Sequence, residues 1–151
     1  MYTFIQILEY LDSDPQRDVG EVKLAFAAEL IAFSRTGTKP FPHVLRLMIS
    51  AIEKGYIELY FDRFANCVGV ILWAMLSQEN LSRIIKDPEF SLTYSDFDSG
   101  ENLYVLESVF VGNNSKPIFL DLKNRVFKPH KNVIYSRIKN NKRIFKKVTR
   151  G

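Results

Sequence analysis

The sequence predicts an α+β fold in which helices pack on a mainly antiparallel sheet. Three observations carry that expectation. Apolar residues recur at helical spacing through the first third of the chain, the period changes to two just after Gly55, and β-branched or aromatic runs then alternate with further helical stretches. With 151 residues the chain suits one compact domain, 1–151, and is too short for two ordinary ones.

Ile5, Leu8 and Leu11 share a helical face between Phe4 and Leu11, before the breaker Asp12-Ser13-Asp14-Pro15. A second apolar helix is expected from Glu21 to Ser34, closed by Thr36-Gly37-Thr38-Lys39-Pro40. Val44, Leu47, Met48, Ala51 and Ile52 predict a third from Phe41 to Lys54, and Gly55 is placed to stop it through a left-handed cap. Tyr56 to Phe61 and Val68 to Ala74 then read as antiparallel strands around Asp62-Arg63-Phe64-Ala65-Asn66. Ser77 is a helix cap for a segment running to about Ile85, with Asn80 where a capping-box Glu would stand. Ser95 to Glu101 is a turn, and Leu103 to Val111 is the strongest strand signal, interrupted only by Glu107. A helix from Lys116 to Phe127 follows, and Asn132 to Ile138 is expected to pair with Arg143 to Val148 as a hairpin.

A hydrophobic fraction of 46% and a charged fraction of 25% exclude disorder and fibrous repeats. The start does not read as a secretory signal, because acids interrupt its apolar stretch and no basic leader precedes it. The longest apolar run, Val68 to Leu76, is far below the roughly 20 residues of a membrane span. The chain is therefore expected in the cytoplasm. Cys67 is the only cysteine, which rules out an internal disulfide and a cysteine-based metal cage within one chain, and no metal site is expected. Net charge is +4, but Lys131, Arg137, Lys139, Lys142, Arg143, Lys146, Lys147 and Arg150 crowd the end. That footprint suits an acidic carrier protein, a phosphate-bearing cofactor or nucleic acid, while a solvated basic hairpin is the structural alternative.

Four ordered segments carry a resemblance: Glu21-Val22 through Pro40, Ser50-Ala51-Ile52, Leu72-Trp73-Ala74-Met75-Leu76-Ser77, and Asp96-Phe97-Asp98-Ser99-Gly100-Glu101. In identity and spacing they resemble the RTX-toxin-activating lysine-acyltransferases. The resemblance implies a GNAT-like fold that passes an acyl group from an acyl carrier protein to a lysine on a protoxin, with no metal. A protonated lysine must lose its proton before attacking a thioester, so a base with a pKa near 7 is wanted, and the family supplies His and Asp. Here Thr36 stands where the family's His would be and Glu107 where its Asp would be. A hydroxyl is no general base at neutral pH.

Glu107, Thr36 and His43 are accordingly the candidate catalytic residues, and Arg35, Trp73 and Ser99 the candidate substrate-binding ones. Each has a bland counterpart. His43, beside Phe41 and Pro42, also suits a cap or a packed ring; Glu107 suits an ion pair with arginine; Trp73 suits the core; Cys67 suits a buried thiol. His130 has weaker claims.

The departures fit a branch of the family that matures siderophore-bearing microcins with a second, unrelated subunit. That branch joins a glucosylated catecholate siderophore to the C-terminal carboxylate of the microcin precursor. Such a union needs activation, so ATP with Mg²⁺ is a co-substrate to expect of the complex, although the sequence holds no Walker-type loop. Two further roles stay open: fatty acyl transfer to lysine using His43 or a partner's base, and a non-catalytic scaffold presenting the peptide. A homodimer is also compatible. RNA binding is the most distant alternative, since the strands lack an aromatic-basic recognition motif.

Overall fold

The computed structural model describes residues 1–6, 19–34, 41–87, 89–113 and 115–149. Among them, six strands form one sheet in the order of the chain. They are β1 (Tyr2–Thr3), β2 (Ile57–Phe61), β3 (Cys67–Leu76), β4 (Asn102–Phe110), β5 (Asn132–Lys139) and β6 (Lys142–Thr149). Neighbours are antiparallel except β4 and β5, which are parallel. The α+β class and the mainly antiparallel sheet are as the sequence predicts. Residues 4–6 are helical, and the rest of the first expected helix lies outside the described residues.

Helices α1 (Val19–Ser34) and α2 (Phe41–Lys54) fall where the apolar spacing puts them, and Gly55 ends α2 at φ 77°. The Ser77 hydroxyl caps α3 (Gln78–Lys86) by accepting from the Asn80 N–H at 3.1 Å. Asn140 and Asn141, at φ 53° and 61°, supply the left-handed pair that a two-residue hairpin needs between β5 and β6.

The expected helix from Lys116 to Phe127 is corrected. It runs as α4 (Ser115–Asp121) and then widens into a π turn (Leu122–Val126), where the Phe127 N–H donates to the Leu122 carbonyl at 2.7 Å. The wider turn lets Leu122 and Ile118 both bury while the chain turns toward β5. An ion-pair network fastens this segment to β2. Arg125 grips Asp121 with two nitrogens, at 3.0 and 2.6 Å, and reaches Glu58 at 3.2 Å, while the Tyr60 hydroxyl donates to Asp121 at 2.7 Å. The guanidinium holds the Asp121 carboxyl below the ordinary carboxylate range, whereas burial pushes Glu58 above it.

The sheet has a core on each face. Phe61, Leu72, Leu76 and Phe97 pack under α1, α2 and α3; Tyr60, Ile71, Trp73, Ile118 and Leu122 pack under α4. Fully burying one such aliphatic or aromatic side chain contributes about 1.5–3 kcal/mol.

At the sheet's lower end, hydrogen bonds run across four strands. Asn102 Nδ2 donates to the Leu76 carbonyl at 3.0 Å, Asn132 Nδ2 to Asn102 Oδ1 at 3.2 Å, and the Thr149 hydroxyl to Asn132 Oδ1 at 3.2 Å. Asn102 is buried, at 8% exposure, so losing its amide strands polar partners away from water. We expect Asn102→Leu to lower unfolding free energy by about 2 kcal/mol and Thr149→Ala, at the exposed end, by less than about 1 kcal/mol, both read from denaturant midpoints.

Candidate active site

Two of the motif segments noted in the sequence meet in space. The Ser99 and Gly100 N–H groups donate to the Met75 carbonyl at 2.9 and 3.2 Å. The Ser99 hydroxyl donates to the Asp96 carbonyl at 2.8 Å and accepts from the Ser77 N–H at 3.0 Å and from Asn80 Nδ2 at 3.1 Å. Asn80 also donates to Asp96 Oδ1 at 3.3 Å. Ser99 is thus tied into the junction between β3, α3 and the turn at residues 94–97. Trp73 is 7% exposed and stacks on Tyr56, whose hydroxyl donates to Asp98 at 2.9 Å. Both side chains are engaged by protein groups, Trp73 in the core and Ser99 in the junction.

Glu107 sits beside an irregularity in the β3–β4 ladder. Leu72 faces Glu107 and Trp73 faces Val105, so Leu106 is an extra residue and the alternation of β4 resets there. Val105 and Phe110 pack on the α4 face, Leu106 and Val109 on the α1 face. Counting back two residues from Val109 puts Glu107 on the α1 face with Leu106. It is half-buried there, and its charge reaches Tyr104.

Tyr104 has Ser136, Arg143 and Glu107 near it; burial pushes its hydroxyl upward, the Arg143 charge opposes this and the Glu107 charge adds to it. A carboxylate, a phenol and a guanidinium thus stand together on one face. Sequence reading singled out Glu107 and missed Tyr104, Ser136 and Arg143. Only the strand order brings the hairpin's Arg143 to the middle of β4, and no local motif marks that meeting.

β4 and β5 pair over only Asn102–Asn132, Leu103–Val133 and Tyr104–Ile134. Beyond Tyr104 they part, and a groove of about 690 Å³ lies on the α4 face, lined by Val105, Phe110, Phe119, Leu122, Tyr135 and Val148 among others. Ser136, near Tyr104, also lines this groove, while Tyr104, Arg143 and Glu107 stand on the other face of the sheet. A volume of this size with mainly apolar walls holds an acyl chain or an aromatic group.

His43 opens onto a different cleft, of about 380 Å³, with Arg46, Ser50, Ser91 and Tyr94; its Nδ1 is 3.5 Å from the Ser91 hydroxyl. Cys67 is half-buried, and burial pushes its thiol up to about 11, which opposes a thiolate nucleophile. Burial lowers His130. Thr36 and Arg35, with the loop to Pro40, lie outside the described residues. Among the described residues, no group of three or more His, Cys, Asp or Glu is placed to hold a metal ion, and no helix is long and apolar enough to cross a membrane.

The model of the RTX toxin acyltransferase family matches residues 33–150, well over half of the chain. Among solved structures, the histone acetyltransferase HPA2 and related acetyltransferase from Corynebacterium glutamicum is similar over 79% of this chain and 74% of that one, at 14% identity and a TM-score of 0.47. No curated protein matches the sequence.

The junction that carries Ser99 leaves no room beside Gly100. A Cβ there would lie 2.5 Å from the Leu76 carbonyl oxygen and 2.5 Å from the Ser77 Cα, both backbone atoms. At Gly69 the nearest atom is the flexible end of Ile118, at 2.7 Å. Gly100→Ala is expected to destabilise the chain by about 3 kcal/mol and Gly69→Ala by clearly less, measured as paired thermal or denaturant unfolding curves.

Proposed function

Because the chain belongs to the RTX toxin acyltransferase family, we propose that it acts as an acyltransferase subunit that modifies a toxin or bacteriocin peptide in the cytoplasm before export. Its substrate is then a microcin precursor, whose C-terminal carboxylate is joined to a glucosylated siderophore with the help of a second protein subunit. What carries this reading is the alignment that the sequence resemblance implies, in which Glu107, on the bulged part of β4, answers to the family's Asp and Thr36 to its His.

The chemistry favours an oxygen acceptor over lysine. Removing a proton from an ammonium before attack asks for a base near pH 7, and Thr36 supplies none. A sugar hydroxyl carries no charge to remove in advance; it needs a carboxylate to accept its proton as the C–O bond forms and the leaving group departs. Glu107, with Tyr104 and Arg143 beside it, is the group we assign to that role. Activating the peptide carboxylate with ATP and Mg²⁺ is assigned to the second subunit, since this sequence holds no Walker-type loop.

The family match itself favours a second reading, fatty acyl transfer from acyl carrier protein to a protoxin lysine, with His43 or a partner's base in place of the missing imidazole.

Co-expression with candidate precursor peptides and neighbouring gene products, followed by intact-mass and fragment analysis, separates these readings. A siderophore-sized adduct at the peptide C-terminus, reduced at least about a hundredfold by Glu107→Gln, is the expected result. An adduct that survives the substitution removes Glu107 from the chemistry and leaves a scaffold. A fatty acyl mass on lysine returns the chain to conventional toxin activation.

A further inference from the structure

All 17 Asp and Glu residues precede Leu122, and the chain from there to its end carries 11 Lys and Arg. The fold gathers much of that basic stretch into one hairpin whose second strand, β6, is an edge of the sheet. β6 pairs with β5 without a bulge from Lys142 to Thr149 and contains no proline. In an antiparallel pair only alternate residues turn their N–H and C=O groups toward the neighbour, so β6 offers the remaining ones outward. A long, regular edge of this kind is a template for another strand.

Its side chains select which strand. Phe145 stacks on Tyr104 on the α1 face, whereas Val148 lines the groove on the α4 face. By alternation Arg143 and Lys147 share the first face and Lys142 and Lys146 the second, so basic groups flank the edge on both sides. Lys142, Lys146 and Lys147 are exposed, and the ion pairs at Arg83 and Arg125 leave these three lysines aside. Lysines on an edge ordinarily repel a second copy of the same strand. The same charges attract a strand of opposite sign.

We propose that β6 is a docking edge on which an acidic, extended segment of a partner protein adds as a further antiparallel or parallel strand, its carboxylates paired with Lys142 and Lys146 on one face or with Lys147 on the other. Backbone hydrogen bonds hold the segment and the basic side chains choose it, as in other strand additions. The lysines of this edge take no part in the reaction assigned to Glu107, so binding can be read apart from it.

The test uses the full chain and a fluorescein-labelled peptide of alternating Glu with Val or Thr. Fluorescence anisotropy is followed against salt, with amide hydrogen exchange of β6 in parallel. Expected are binding that weakens steeply with salt, slowed exchange at the alternate β6 amides, and about a tenfold or greater loss of affinity both for the peptide N-methylated at alternate residues and for Lys146→Glu/Lys147→Glu. Equal binding of the N-methylated peptide would overturn strand addition and leave a diffuse electrostatic contact. A single-stranded oligonucleotide that binds more tightly than the peptide and slows the same amides would assign the edge to nucleic acid. Concentration-dependent protection of β6 in the chain alone would assign it to a second copy.

Discussion

Strand β4 is held along one side and released along the other, and most of the structure depends on that asymmetry. On the β3 side it is paired from Asn102 to Phe110 with one bulge. On the β5 side it is paired for three residues, Asn102 to Tyr104, and then let go. The Asn102–Asn132–Thr149 hydrogen bonds pin all four strands at the paired end. Sheet twist and the bulge at Leu106 then carry β4 and β5 apart. Both the groove on one face and the Glu107 cluster on the other sit where the strands separate.

The arrangement places chemistry without exposing it freely. Glu107 is half-buried, with Tyr104 and Arg143 near enough to interact through charge. A carboxylate so placed can accept a proton from a neutral hydroxyl as a bond forms, but it is a poor substitute for an imidazole that must first deprotonate an ammonium. The junction of residues 72–77 with residues 96–101 supports the same strand from the other end, since Gly100 and Ser99 fix where β3 stops and β4 begins. These two segments work as a structural joint, with Ser99 held among protein groups and Trp73 stacked on Tyr56.

Much of the fold was legible because its signals are local. Gly55 ends α2 by its left-handed backbone, Ser77 caps α3, and Asn140-Asn141 turn the last hairpin, each at the position that turn chemistry selects. The π turn after α4 was not legible: a short apolar helix looks alike whether its last bonds span four residues or five. Nor was the parallel step between β4 and β5, which rests on Asn102 meeting Asn132 from 30 positions away. The same limit hid Tyr104, Ser136 and Arg143 from the site. Glu107 could be found because a charge inside an apolar strand is anomalous in sequence, whereas an arginine inside a basic hairpin is not.

Amide hydrogen exchange along β4, resolved by residue in the free chain, tests the asymmetry most directly. The account predicts slow exchange throughout Asn102 to Tyr104, bonded on both sides, and from Leu106 to Phe110 an alternation in which the amides turned away from β3 exchange markedly faster. Uniformly slow exchange over the whole of β4 would contradict it, because β4 and β5 would then stay paired beyond Tyr104.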